Sequence, residues 1–305
     1  MTIPVFDTGD IVRRAAQVGL ALPAFNMPYL PMMEPVIRAV VDQDCLALIT
    51  VARLEWVKME SRSPAAVMAE FARLQQPGYV RLHLDHVPVI DEDNLAVDYL
   101  AIIREAIALG YQSVMVDGSR LDLAGNIAAT RAVVELAHAA GIACEAELGA
   151  VLGHEAGPLP PYEELYVSGR GFTDPAEAAR FVRETGCDWL SVAIGNVHGA
   201  IAAATRGQKK VEARLNLDQL QRLREAAGIP LVLHGGSSVK QEYMLAAMQC
   251  GIAKINIGTE IRQVYEATKL ASGSTAQAQD AVYARTCWLL SDYLHLAGTR
   301  PQLTA

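Results

Sequence analysis

Short apolar runs alternate with amphipathic stretches along this chain, and the alternation is regular. Eight runs have the length and apolar content of buried strands: 20–26, 45–51, 79–85, 112–117, 142–149, 189–195, 229–235 and 252–258. Each ends near a polar residue or a glycine, as in LHLDH, MVDG and VLHGG. Between them, apolar positions recur at helical spacing over 31–43, 93–109, 123–140, 174–185, 216–227 and 239–249. The segment from Thr173 has an N-cap residue, an early proline and an acidic first turn, which is how helices begin. Strict alternation of strand and helix implies parallel strands joined by helical crossovers. Eight units predict an α/β fold of the closed (β/α)8 TIM-barrel type. An open doubly wound sheet is the alternative, but no GxGxxG follows the first strand. No linker or shift of composition interrupts the pattern, so residues 1–305 are expected to form a single barrel domain. A helical tail is expected over about 272–305, in which ASGSTAQAQ reads as a loop before an extra C-terminal helix.

Composition narrows the function classes. Hydrophobic residues make up 51% of the chain, enough for a sizeable core. The formal net charge of −8 argues against a nucleic-acid partner, which needs a basic stripe. No apolar run approaches the roughly twenty residues of a membrane span, so no membrane partner is expected. The N-terminal segment lacks the apolar core of a signal peptide. Cys45, Cys144, Cys187, Cys250 and Cys287 are scattered without CxxC spacing and read as free thiols. Both features predict a cytoplasmic protein.

The candidate chemistry gathers where strands end. His86, His198 and His234 stand at or just past the third, sixth and seventh strands, which a closed barrel would bring to one mouth. Singly, each is readily a hydrogen-bonded structural residue. Together they offer three imidazoles to a divalent cation, most often zinc. The turns HGGSS (234–238) and KINIGTE (254–260) each join a strand to a helix start after strands seven and eight, where barrels of this type usually bind phosphate. Carboxylates also stand at strand ends: Asp85, Asp117, Glu145 and Glu147. Alternation puts Glu145 and Glu147 on one face, as ligands or as a salt-bridge layer with Arg or Lys partners. Two long connections, 149–172 and 199–216, have the length of active-site lids. These features suit carbon–carbon bond formation through a metal-stabilised enolate. They equally suit a metal-dependent sugar-phosphate epimerase or isomerase.

LHLDH, VMVDGS, EAELG, VAIGNVHG, LVLHGGS and KINIGTE, in this order, resemble the class II, metal-dependent ketose-bisphosphate aldolases, which include fructose- and tagatose-bisphosphate aldolases. The similarity runs from about residue 20 to 265. It implies reversible C3–C4 cleavage of a ketose (bis)phosphate to dihydroxyacetone phosphate and an aldehyde, through a metal-stabilised enediolate. Asp85 resembles the general acid/base at the C4 hydroxyl, and Glu155 the residue that exchanges the C3 proton. His86, His198 and His234 resemble the zinc ligands, and Asp117 and Glu147 ligands of a secondary metal position. Asn26, Gly199, Gly235, Gly236, Ser237, Asn256, Ile257, Gly258 and Thr259 match the substrate grip. The cofactors implied are zinc or another divalent cation, and a monovalent cation. The partners implied are a small phosphorylated sugar and further copies of the chain, as a homodimer or homotetramer.

The chain departs from the family in several places. His154 replaces an acidic neighbour of Glu155, Ala52 stands about where a serine belongs, and Gly258 takes the place of the aspartate of fructose-specific relatives. The phosphate end therefore resembles the family, and the aldehyde end differs from it. Arg206, Lys209 and Lys210 are candidates for a distal phosphate or an ordinary solvated cluster. Competing readings are a Schiff-base aldolase using Lys254 and a non-catalytic sugar-phosphate-binding relative.

Overall fold

The computed structural model describes residues 6–74, 76–149, 162–196, 213–236 and 239–304. Eight parallel strands close into a barrel in sequence order: β1 Leu22–Asn26, β2 Ala47–Ala52, β3 Val80–Asp85, β4 Ser113–Val116, β5 Ala143–Leu148, β6 Trp189–Val192, β7 Leu231–Leu233 and β8 Ile252–Ile257. Closure is through β1–β8, where Leu22 pairs with Lys254 and Ala24 with Asn256. All eight expected strands are present, each shorter than expected by a residue or more, with β2 ending one residue later than expected. Every strand is buried on both faces, which is why the runs read as continuous apolar stretches.

The helices follow from the same pattern. Met33–Asp42 (α2), Tyr99–Leu109 (α5), Leu123–Ala139 (α6), Pro175–Thr185 (α8), Leu217–Ala227 (α9) and Gln241–Gln249 (α10) occupy the six expected positions. The fifth starts later than periodicity suggests. Pro88 first bridges to Asp117 and Ile90 to Ala96, and only then does Asp98 cap the helix. Thr8–Val18 (α1), Arg53–Lys58 (α3), Pro64–Leu74 (α4), Tyr162–Ser168 (α7) and Thr259–Ser272 (α11) are additional. The expected loop ASGSTAQAQ is mostly helix. Gly273 ends α11 with a φ of 68°, and Ser274 at once caps the helix Thr275–Trp288 (α12). A short helix, Arg300–Leu303 (α13), follows. All five cysteines are free thiols. Among the described residues, no helix is long and apolar enough to cross a membrane.

Two apolar clusters divide the work of packing. The larger lies between strands and helices, and contains Phe25, Leu82, Leu84, Leu148, Leu190, Leu233 and Ile255. The smaller fills the lower barrel interior with Leu22, Ala24, Leu46, Leu48, Trp189 and Val232. Ile11, Val12 and Ala15 of α1, with Leu303 of α13, close that end. Polar inward residues are thereby confined largely to the upper half, at the strand C-termini, where (β/α)8 barrels carry their chemistry.

Candidate active site

Asp85 is the last residue of β3 and is fully buried. Its Oδ2 accepts from Asn26 Nδ2 at 2.9 Å, and Asn256 Nδ2 donates to both carboxylate oxygens at 3.0 and 2.9 Å. Lys254 Nζ stands 3.5 Å from Oδ1. Burial alone would push this carboxyl up, but the Lys254 ammonium, with His86 and His234, holds it below the usual carboxylate range. Asp85 is thus an ionised acceptor fixed by amides from β1 and β8. Asn256 Oδ1 is buried and meets no hydrogen-bond donor in the described residues, so it can accept from a substrate hydroxyl.

His86 follows with φ 27°, a backbone conformation that costs a non-glycine residue about 1–3 kcal/mol and occurs most at functional sites. Its carbonyl accepts from the Arg53 amide at 3.2 Å, tying β3 to the start of α3. The strained turn brings its ring beside His234, with centroids 4.5 Å apart. Gly235, next to His234, has φ 67°, and Asn196 Nδ2 donates to the His234 carbonyl at 2.9 Å. Glu147 Oε2 lies 3.0 Å from His234 Nδ1 and 3.9 Å from His86 Nε2. Donor atoms of His86, Glu147 and His234 all lie within 4.8 Å of one another.

This donor set fits a divalent cation. Each histidine turns its other nitrogen to a carboxylate: His234 Nε2 to Glu145 at 2.9 Å and His86 Nδ1 to Asp117 at 3.5 Å. Metal-binding imidazoles are characteristically oriented in this way. Burial opposes charge on His86, but Asp117, Glu147 and Asp85 push it up to about 10. The pocket therefore carries surplus negative potential that a cation would neutralise. Asp117, ranked in the sequence with Glu147, stands behind His86 rather than in the three-donor group.

A second acidic group, His83, Asp85 and Glu145, is also close enough to hold an ion. Lys254 occupies that role instead, with its ammonium 2.7 Å from Glu145 Oε2. Glu145 further accepts from Trp189 Nε1 at 2.5 Å, and His83 Nδ1 lies 2.9 Å from Ser113 Oγ. Glu145 is thus the salt-bridge residue that alternation allowed, whereas Glu147 faces the donor group.

The expected substrate residues divide three ways. Asn26 and Asn256 meet at Asp85. Gly235 and Gly236 follow β7, and Gly258 precedes α11, with its first turn free of any side-chain cap. A Cβ on Gly258 would lie 3.3 Å from Asn26 Cβ, so this turn packs close against β1. Thr259 opens α11, while Ile257 points into the outer apolar cluster and has only backbone to offer. His154, Glu155, His198, Gly199, Arg206, Lys209, Lys210 and Ser237 lie outside the described residues.

Sequence reasoning missed Glu55. It lies in α3, is 8% exposed, and its Oε2 accepts from the Ala52 amide at 2.8 Å. Burial pushes its carboxyl up to about 8, against the opposing influence of the Ala52 amide and Asn26.

The fold and these groups define a (β/α)8 enzyme with the donors of a metal centre beside a buried carboxylate. The chain belongs to the family of class II fructose-bisphosphate aldolases, whose model matches residues 6–288, and it is accordingly an aldolase, a lyase of a metal-dependent class. It is 34% identical over 277 residues to the fructose-bisphosphate aldolase of Streptococcus pneumoniae, covering 89% of this chain and 85% of that enzyme. It is 32% identical over the same length to that of Streptococcus pyogenes, with the same coverage. The crystal structure of the YdjI aldolase from Escherichia coli K12 superimposes with a TM-score of 0.75 at 27% identity, covering 97% of this chain and all of that one.

Proposed function

We propose that the protein is a zinc-dependent aldolase that reversibly cleaves the C3–C4 bond of a ketose phosphate to dihydroxyacetone phosphate and an aldehyde. The observation that carries this reading is the meeting of His86, Glu147 and His234 donors within 4.8 Å of one another, beside an ionised, doubly amide-bound Asp85. His198 would supply a further imidazole. A divalent cation bound there supplies Lewis-acid polarisation of the substrate carbonyl.

The protein's own residues do the rest. In cleavage, Asp85 takes the proton of the C4 hydroxyl, the C4–O bond becomes the aldehyde carbonyl, and the C3–C4 electron pair passes towards C2. Asn26 and Asn256 hold the Asp85 carboxylate so that this transfer needs no rearrangement of the base. Glu155 is assigned the return of a proton to C3. The phosphate of the dihydroxyacetone half sits at the turns after β7 and β8, where α11 presents uncapped amides. Lys254 Nζ is taken up by Asp85 and Glu145 in the buried ionic layer, which supports a structural role for it over a Schiff-base route.

The test is turnover of fructose and tagatose bisphosphates and aldol addition to dihydroxyacetone phosphate, before and after chelation. Chelation should abolish activity and zinc should restore it, and borohydride with substrate should trap no lysine adduct. Activity indifferent to chelator, or epimerisation without triose phosphate release, would overturn the proposal.

A further inference from the structure

Two strand-to-helix turns at the mouth treat an anion in opposite ways. After β8, α11 begins at Gly258 with no side chain on its first amides. After β2, α3 begins at Ala52, and Glu55 folds back so that its own carboxyl takes the Ala52 amide at 2.8 Å. Ala52 has no side-chain acceptor to return the bond, so only one half of a capping box is formed. The Ala52 amide is thereby occupied and offers no free donor to an anion.

Glu55 is also close to the reacting end of the site. Ala52, whose amide Glu55 holds, pairs with Asp85 in the β2–β3 register, and Asn26, which donates to Asp85 at 2.9 Å, is among the groups that oppose the upward push of burial on the Glu55 carboxyl. Glu55 is therefore a polar group close to Asp85 that belongs neither to the cation donors nor to the turns after β7 and β8. The cations of this segment are engaged nearby. Arg53 is 3.3 Å from Asp91, and Lys58 is 2.9 Å from Glu92 and 2.8 Å from Asp93. Among the described residues, the α3 segment has no cation left over for a second phosphate, and it is ringed by carboxylates.

We infer that Glu55 sets the aldehyde specificity: the aldehyde half is an uncharged polyhydroxy aldehyde, whose hydroxyls meet the Glu55 carboxyl and the Asn26 amide, and not an aldehyde phosphate. A carboxyl and an amide side by side match hydroxyls, which both donate and accept. The inference rests on the aldolase reading above and names its second substrate class.

The experiment uses the zinc-loaded protein with dihydroxyacetone phosphate against glyceraldehyde, erythrose, threose and glyceraldehyde 3-phosphate. Plain aldehydes should exceed glyceraldehyde 3-phosphate in kcat/KM by at least about tenfold, as a site built to bind hydroxyls discriminates. Glu55→Ala frees the Ala52 amide and should move that ratio towards the phosphate by a similar factor. Glu55→Gln, whose amide oxygen still accepts from Ala52, should keep the wild-type order. Glu55→Ser repeats the comparison if the alanine variant does not fold.

Solvent deuterium exchange at the hydroxymethyl carbon of dihydroxyacetone phosphate, run without aldehyde, reads the aldolase half-reaction by itself. Exchange together with a preference for glyceraldehyde 3-phosphate, or a ratio unmoved in Glu55→Ala, overturns the inference and leaves the aldolase reading standing. Absence of exchange removes both.

Discussion

The lower and upper halves of the barrel interior are built from the same inward faces of the same strands, and both are largely buried. Below, Leu22, Leu48, Trp189 and Val232 interlock, with Arg81 the polar exception, its Nε bonded to the Phe6 carbonyl at 3.1 Å. Above, Asn26, His83, Asp85, Glu145, His234, Lys254 and Asn256 stand where side chains of similar size would otherwise pack. Apolar groups gain from burial alone, whereas a buried charge is tolerated only when its partners replace water. The upper half is therefore organised by partners, and Lys254 serves both Asp85 and Glu145. Ionic layers of this kind add little net stability, but breaking one is costly.

The largest expected effect comes from removing the base and leaving the rest. Asp85→Ala should lower turnover by about a hundred- to ten-thousand-fold, the usual contribution of general acid/base catalysis. Bound zinc, measured by atomic absorption, should stay near wild type, because Asp85 is outside the His86–Glu147–His234 donor group. Near-normal turnover would mean that the amide-bound carboxylate is structural.

Lys254→Met tests the ionic layer itself. It leaves Asp85 and Glu145 buried without their cation, a loss of about 3–5 kcal/mol for a broken buried pair. The Asp85 carboxyl should then titrate higher, since burial raises it and Lys254 is the largest opposing influence. Urea unfolding reads the first effect and the acid limb of the pH–rate profile the second. A variant as stable as wild type, with an unmoved acid limb, would show that the amides alone hold the layer.

Leu48→Ala is the matching test below. Leu48 is fully buried in the lower cluster, and its truncation should cost about 2–5 kcal/mol. Here kcat per folded molecule should be unchanged, because no bond links Leu48 to the upper layer. A proportional fall in kcat would show that the two halves are mechanically coupled.

The two halves also differed in how far they could be read from sequence. Strands are apolar runs of fixed length, so the barrel and its order were open to inspection, and strand ends then placed Asp85, His86, His234 and Glu147 at one mouth. Lys254 was harder to assign. Its place near a strand end also suits a Schiff-base lysine, and its ion pairs arise only when β3, β5 and β8 close round it. Glu55 was hidden for another reason. Its helix has six residues, too few for a periodic stripe, and Ala52 stands where a capping serine or threonine would announce a turn. His198 and Glu155 remain sequence expectations, outside the described residues.

The most gradual effect expected is a slope, and it separates two kinds of buried carboxyl. Asp85 and Glu145 have Lys254 and titrate below their ordinary range, so their contribution to stability is present at neutral pH and lost on acidification. Glu55 has no ion pair, and burial raises it from 4.5 to about 8 against the smaller opposing influences of the Ala52 amide, Asn26 and His86. Between those values the folded state holds a proton that the unfolded chain has released. Stability from Glu55 is therefore complete below about pH 4.5 and declines as pH rises to about 8. The wild-type stability minus that of Glu55→Gln should fall across this window, no faster than about 1.4 kcal/mol per pH unit for one proton. It should be level above the window, and subtraction removes groups that titrate alike in both proteins. Urea unfolding of the pair from pH 5 to 9 measures it. A level difference throughout would mean that Glu55 ionises as an ordinary carboxylate, and the contrast between ion-paired acids and one held by an amide would then fail at this residue.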